Sequence, residues 1–458
     1  MTAVDAARLN RLHFVGVAGA GVSALAQFHA MGGGQASGSD RAFDRGLAGG
    51  LRAALERLGV RITPQDGSAL LSAPEAVIAS TAIEEDNADL AAARAARVRI
   101  IHRADQLARY VQQYRTIAVA GTSGKSTVTA MIFEILAAAG KDPSVITGGG
   151  LRALEERGLV GNALRGKSDL LVVEADESDG TLVRYQPWLG VLLNVDKDHK
   201  EVPELVRMFT EFKGRCRDFI VHAEAPALEG LRPGSATFGL GAGAEVRAED
   251  LALDAEGSTF FVRGVRFRLA HPGRYNVENA LAAVAACLKA GATLDECARG
   301  LAEFKGVARR FERVGEARGV KVIDDFAHNP AKVRAAMAAA RLQGPRLLAV
   351  FQPHGFTPTR FNRAEFIDAF SETLAPGDVL WLPEIYYAGG TAQKTISSKD
   401  LADPIRSRGK DARFVPERDE LPALIAAEAK AGDVVMVMGA RDPTLHDFAR
   451  SVLARISM

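Results

Sequence analysis

Residues 119–132 read VAGTSGKSTVTAMI. The apolar segment RTIAVA (115–120) leads into this stretch, and KSTVTAMIFEILAAAG follows it, closed by Gly140. Strand, glycine-containing loop and helix come in the order of a phosphate-binding loop. The strict Walker A pattern asks for glycine where this chain has Val119. Gly121 and Gly124 let the backbone turn tightly and aim N–H groups at anionic oxygens. Lys125 adds positive charge at the β- and γ-phosphates of a nucleotide, and Ser126 or Thr127 offers a hydroxyl to Mg²⁺. The helix that follows turns its positive dipole end toward the phosphates. Gly121 makes the turn by itself, so glycine at 119 is not a chemical requirement.

A magnesium-dependent nucleotide site needs oxygen ligands close by. In VVEADESDG, Glu174 and Asp176 stand at the end of an apolar strand, where open α/β sheets bind ligands. In NVDKDH, Asp198 and His199 stand at the end of the next. Carboxylates suit Mg²⁺, and a neutral imidazole is a less usual ligand for it. The competing explanation for such acids is helix capping.

The chain has 458 residues, a length that suggests about three domains. Hydrophobic residues make up 47% and charged residues 25%, the balance of a soluble globular protein with ample core. A formal net charge of +1 gives no basic field for nucleic acid. Cys216, Cys287 and Cys297 have no metal-binding spacing and fit a reducing compartment. The N-terminal residues do not read as a signal peptide, and no apolar run is long enough for a membrane span. The expected location is the cytoplasm.

Three segments alternate strand and helix, the pattern of parallel α/β sheets. The first opens with RLHFVGV (11–17), the glycines of AGAG, a helix-like VSALAQFHAM and a second strand GQASGSD, and ends near RADQLARYVQQY. The second carries the loop and two apolar strands, LLVVEAD (170–176) and GVLLNVD (190–196), and predicts an antiparallel edge hairpin in AEVRAEDLALDAEGSTFFVRGVRFRLA. The third contains VKVIDDFA (320–327), RLLAVFQP (346–353), DVLWLP (378–383) and DVVMVMG (433–439). Gly16, Gly19 and Gly21 are spaced G-x-x-G-x-G rather than as the dinucleotide fingerprint. An NAD-binding domain is the rival reading, and Asp40 suits a ribose in either case. The later nucleotide loop weighs against that rival.

Taken in order, these motifs resemble the Mur ligases, ATP-dependent amide-forming enzymes of peptidoglycan synthesis. HFVGVAGAGVSALA, SGSD, STAIEEDNADL and RADQLA resemble the family's UDP-binding start. AGTSGKST, EADESDG, NVDKDH, HPGRYNVENALAA and GVARRFE resemble its central ATPase domain. DDFAHNPAKV, FQPHGFTPTR and MGARD resemble its C-terminal domain. The resemblance implies a Rossmann-like UDP-substrate domain (1–112), a central P-loop ATPase domain with a parallel sheet (113–315) and a Rossmann-like amino-acid domain (316–458). It implies ATP and Mg²⁺ as cofactors, UDP-N-acetylmuramate and L-alanine as substrates, and a monomer or homodimer.

Residue by residue, it implies that Gly121, Thr122, Ser123, Gly124, Lys125, Ser126 and Thr127 bind ATP phosphates. Ser126, Glu174 and His199 would surround magnesium, and Asn276 and Asn279 the adenine. Arg310 and Asp325 would reach the nucleotide from the C-terminal side. Lys125, Glu174, His199 and Arg310 form the catalytic set. Gly19, Ala20, Gly21, Ser39 and Asp40 would hold the UDP substrate, and His328, His354 and Arg360 the amino acid. The implied chemistry is acyl-phosphate formation followed by amine attack, sheltered from water by domain closure.

Four positions depart from the alanine-adding pattern: Ser123 for histidine, Tyr275 for histidine, Asn329 for the second of two histidines, and Arg441 for glycine. They bear on the acceptor and amino acid more than on ATP chemistry. A ligase of this type for another amino acid or a peptide, such as the murein-tripeptide recycling type, and a non-catalytic UDP-sugar or ATP-binding regulator are the alternatives.

Overall fold

The structure is a computed structural model that describes residues 9–178, 180–197, 200–387 and 393–458. The chain forms two compact units. One comprises Met1–Glu249, Val262–Phe267 and Asn279–Val307; the other comprises Asp250–Phe261, Arg268–Glu278 and Ala308–Met458.

The first unit holds two sheets. One has five parallel strands in the order Val60–Ile62, Gln35–Ser39, Arg11–Val15, Ala76–Ala79, Arg99–His102. The chain leaves Arg11–Val15 toward one edge and returns on its other side. That reversal opens a crevice at the carboxyl ends of the strands. Leu12 and Phe14 are fully buried, and so is His13 between them. The imidazole contacts Ser37 Oγ at 3.0 Å and Asp89 Oδ2 at 3.3 Å. Burial works to raise the Asp89 carboxyl, but hydrogen bonds from His13, Ser39 and the Gly67 N–H outweigh it and hold it below the usual range.

The other sheet places Arg115–Ala120 between Leu170–Glu174 and Leu189–Leu192, parallel to both. Asp218–His222, Ala236–Gly239 and Val246–Arg247 extend it in parallel on one side. Ser144–Ile146 continues the other side, and Ala163–Leu164 closes that edge antiparallel. The central strands are buried on both faces, which accounts for their unbroken apolar runs. The segment expected as an edge hairpin instead forms its own three-stranded sheet, Glu249–Asp254, Gly257–Val262 and Val265–Leu269. Val246–Arg247 already occupies the edge of the parallel sheet. Phe260, Val262, Phe267 and Leu269 are buried and alternate with half-buried or exposed neighbours, the alternation of a sheet covered on one face.

The second unit is built on a six-stranded sheet: Glu312–Ala317, Val320–Asp325, Val434–Gly439, Leu347–Gln352, Val379–Leu382, Ala412–Phe414. Only the first pair is antiparallel. Arg318 and Gly319 join it with φ of +52° and +75°, a two-residue turn whose twist matches the strands. Side chains alternate between two cores. Ala349, Phe351, Met436 and Met438 pack with Val333, Met337 and Phe370. Leu348, Val350, Val435 and Val437 pack with Leu421, Ile425 and Phe448 on the opposite face.

Among the described residues no helix is long and apolar enough to cross a membrane. Cys216, Cys287 and Cys297 are free thiols.

One buried acid sets a pH dependence. Glu134 lies on the helix Lys125–Ala138; its Oε2 accepts the Lys305 N–H at 3.0 Å, while Oε1 is buried without a partner among the described residues. Burial raises this carboxyl to about 7. The folded state therefore favours the protonated form, and stability is lost as pH rises from the ordinary glutamate value through about 7. Glu134→Gln should be more stable than the native chain by about 1–2 kcal/mol at pH 8, with the gain vanishing near pH 4.5. Thermal melts of both proteins across that range measure the difference.

Candidate active site

The phosphate loop leaves the end of Arg115–Ala120 and enters the helix Lys125–Ala138. Val119 is an interior strand residue, fully buried and paired with Val191 and Glu174. The turn is made one position after the strand ends, by Gly121 at φ +135°. A Cβ there would lie 3.1 Å from Leu193 Cβ and 3.2 Å from the Asn194 backbone. Gly124 is left-handed at φ +85°, and a Cβ on it would meet Asn279 Oδ1 at 2.5 Å.

Asn194, just beyond the neighbouring strand, clamps the loop. Its Oδ1 accepts from Thr122 Oγ1 at 3.0 Å and from the Ser123 N–H at 2.8 Å, and its Nδ2 donates to Ser123 O at 3.1 Å. The Asp196 N–H donates to Thr122 Oγ1 at 2.9 Å. Thr122 and Ser123 thus meet a partner from the sheet, and Ser123 stands where the alanine-adding pattern has histidine.

Ser126 Oγ donates to Glu174 Oε1 at 2.5 Å. Glu174 Oε2 accepts from Thr147 Oγ1 at 3.0 Å and from the Gly148 N–H. A hydroxyl and a carboxylate, held together beside a phosphate loop, are an oxygen donor set that fits Mg²⁺. His199 and Asp198 lie outside the described residues.

Lys125 Nζ donates to Gly121 O and to Glu177 Oε2, both at 2.7 Å, and lies 3.9 Å from Asp176 Oδ1. Burial works against its charge, but Glu177 and Asp176 outweigh burial and hold the ammonium above its usual range. Burial pushes the Glu177 carboxyl up, and Lys125 pulls it down without cancelling the effect. Glu177 is buried beneath the lysine, a partner that the motif EADESDG contains but does not single out.

At the first sheet, Gly19 precedes the helix Ala20–Met31, whose early N–H groups face the crevice end of the strands. Asp40 Oδ2 accepts the Ala18 N–H at 3.0 Å, and Oδ1 accepts the Ala42 N–H at 2.9 Å. Ser39 O accepts the Gly16 and Val17 N–H groups, and Ser39 Oγ donates to Asp89. Asp40 and Ser39 are therefore engaged in holding the shape of the glycine turn.

Asn276 and Asn279 are both buried and lie one turn apart on the helix Arg274–Lys289. Asn276 Nδ2 donates to Pro272 O at 2.8 Å.

In the second unit, Asp325 accepts the Phe311 and Ala327 N–H groups, each at 2.7 Å. Burial raises its carboxyl to about 6, against the pull of Arg310. The Arg310 guanidinium lies 4.7 Å from the Phe326 ring centroid. The His328 and His354 rings meet edge to face at 5.5 Å. His328 Nδ1 lies 2.8 Å from Phe326 O, which can only accept, so Nδ1 carries the proton; Nε2 accepts from Lys332 at 3.3 Å. Burial and then Lys332 keep this imidazole neutral, well below its usual range. Arg360 is exposed and donates to Thr395 Oγ1 at 2.8 Å. Asn329 caps the helix Pro330–Arg341 by accepting the Lys332 N–H. Arg441 has φ +58°, a conformation suited to the glycine expected there.

Three family models match in series: the Mur ligase family catalytic domain over residues 11–115, the Mur ligase middle domain over 119–287, and the Mur ligase glutamate ligase domain over 309–441. The UDP-N-acetylmuramate–L-alanine ligase of Burkholderia cenocepacia is 38% identical, with 94% of this chain and 95% of that one covered. The enzyme of the same name from a Cyanothece species is 34% identical over 96% and 95% of the two chains. The crystal structure of the UDP-N-acetylmuramate–alanine ligase from Thermotoga maritima superposes with a TM-score of 0.79 at 28% identity, covering 97% and 98%. A murein peptide ligase from Psychrobacter arcticus shares the fold, with a TM-score of 0.67 at 22% identity over 97% and 98%. This chain belongs to the Mur ligase family.

Two substitutions test this geometry. Asn194→Ala strips the loop of its clamp and leaves the Ser123 N–H unpaired, so denaturant titration should register a loss of about 1–3 kcal/mol. Arg441→Gly relieves a left-handed side-chain position and should leave stability unchanged or raise it by up to about 1 kcal/mol in the same titration.

Proposed function

We propose that this chain joins L-alanine to the carboxylate of UDP-N-acetylmuramate with hydrolysis of ATP to ADP and phosphate, a step of peptidoglycan precursor synthesis. The observation that carries the chemistry is the loop 121–127 with Lys125 at its end and the Ser126–Glu174 pair beside it. Similarity to alanine-adding ligases along 94% of the chain supports the substrates.

A carboxylate is a poor electrophile because its leaving oxide is strongly basic. Transfer of the γ-phosphoryl group converts it to an acyl phosphate. The amine of alanine then attacks the acyl carbon, and the tetrahedral intermediate collapses with loss of phosphate. No side-chain nucleophile is needed. Lys125 and Arg310 meet the charge that develops on the transferred group. Gly121 to Thr127 cradle the phosphates, Asn276 and Asn279 hold adenine, and Asp325 holds the nucleotide from the C-terminal part of the chain. Magnesium, on Ser126 and Glu174 with His199 as a further ligand, would supply additional positive charge at the phosphates. Gly19, Ala20 and Gly21 receive the UDP diphosphate, and Ser39 and Asp40, which also shape that turn, complete the UDP-substrate site. His328, His354 and Arg360 receive the amino acid, with His328 neutral. The domain boundaries are placed near residues 112 and 315, and the site of action is the cytoplasm.

The test is phosphate release by the purified chain with ATP, Mg²⁺ and UDP-N-acetylmuramate, each common amino acid being supplied in turn. Release should require both UDP-N-acetylmuramate and L-alanine, and Lys125→Ala should lower it by about 100-fold or more. Release with a different amino acid or with a peptide would move the substrate and retain the ligase. Binding of ATP without release under any of these conditions would favour a regulator.

A further inference from the structure

Arg310 stands between two residues in left-handed backbone, Arg309 at φ +58° and Phe311 at φ +49°. Neither is glycine, and such conformations persist only where the surroundings over-determine them. Here they do. Arg309 O accepts the Phe326 N–H at 2.7 Å, and the Arg309 N–H donates to Glu312 Oε2 at 2.8 Å. The Phe311 N–H is taken by Asp325 Oδ2.

The Arg309 side chain secures the arrangement. Its Nε lies 3.2 and 3.4 Å from the two oxygens of Asp324, a fully buried carboxylate. Its Nη2 donates to Gly439 O at 2.8 Å, and Nη1 to Asp442 O at 3.4 Å. Asp324 Oδ2 also receives His446 Nδ1 at 3.0 Å. One guanidinium therefore ties together the strand Val320–Asp325 and the end of Val434–Gly439, and His446 braces it from the helix Leu445–Ser457. The Phe326 ring lies under both arginines, with its centroid 5.1 Å from the Arg309 guanidinium and 4.7 Å from that of Arg310.

Glu312, Asp324 and His446 lie close enough together to suggest a cation site. The Arg309 guanidinium already supplies the positive charge that Asp324 requires, so the cluster works as an anchored ion-pair network.

We infer that Arg309 is a positioning residue: its guanidinium, held by Asp324, Gly439 O and Asp442 O, fixes the two left-handed residues that direct Arg310. This rests on the ligase reading and on the role of Arg310 within it.

Steady-state phosphate release and thermal melts on Arg309→Met, Arg310→Ala and the double variant test it. Arg310→Ala should lower kcat by about 100-fold. Arg309→Met should lower kcat by about 10-fold or more with the KM for ATP within about threefold, and the double variant should be no slower than Arg310→Ala alone. His446→Leu removes only the outer brace, keeps the fold if Arg309→Met does not, and should lower kcat by about threefold, again without further effect on Arg310→Ala. Losses that multiply in the double variants would mean that Arg309 and His446 act independently of Arg310, and would overturn the inference. So would a kcat within twofold of native for Arg309→Met. If Arg310→Ala is fully active while Lys125→Ala is not, the role of Arg310 and this inference both fall and the ligase reading stands. If the native chain releases no phosphate with any acceptor, the ligase reading itself falls.

Discussion

A side chain at position 121 would meet both crowding and a strained backbone. The loop turns there with φ +135°, pressed against Leu193 and the backbone of Asn194, and the candidate site depends on that turn. The turn ends the central strand one residue after buried Val119 and starts the helix at Lys125. It brings Thr122 and Ser123 against the Asn194 side chain. The close approach requires Leu189–Leu192 to be the direct neighbour of Arg115–Ala120. Leu170–Glu174 on the other side then delivers Glu174 to Ser126. Strand order and loop conformation are thus one constraint seen from two sides.

That constraint sets up opposite electrostatic environments a few ångströms apart. On one side, Glu174 gathers two hydroxyls and a backbone N–H around its oxygens. On the other, Lys125 is sunk against Glu177 and Asp176. Burial alone would discharge both members of such a pair, and the ammonium stays charged because two carboxylates outweigh burial. A cation already oriented and already charged needs little reorganisation when an anionic phosphate arrives.

Adjacent aspartates divide the work in the second unit. Successive residues of a strand point to opposite faces, so Asp324 and Asp325 cannot serve the same partner. Asp324 faces inward to Arg309 and His446. Asp325 turns the other way and takes two backbone N–H groups, that of Phe311 next to Arg310 and that of Ala327. The backbone strain flanking Arg310 is sustained by these two carboxylates together.

The central strands were legible because parallel strands covered on both faces are apolar along most of their length, as RTIAVA, LLVVE and VVMVMG are. The loop was legible because Gly121, Gly124 and Lys125 act within a few residues of each other. Short elements were not: Ala412–Phe414 and the antiparallel Glu312–Ala317 carry too few residues, or too mixed a pattern, to stand out. The same holds for partners distant in sequence. Asn194 reaches Ser123 across 71 residues, Glu177 reaches Lys125 across 52, and His446 reaches Asp324 across 122. Asp40 reads as a ligand-binding acid in the sequence, and its contacts with the Ala18 and Ala42 N–H groups emerge only in the fold. The sequence by itself determined the local chemistry: which backbone can turn, where charge is carried, which segments must be buried. The tertiary structure alone decided which of those polar groups remain available and which are held by one another, because that choice depends on strand order and on burial, and neither is encoded within any short stretch of chain.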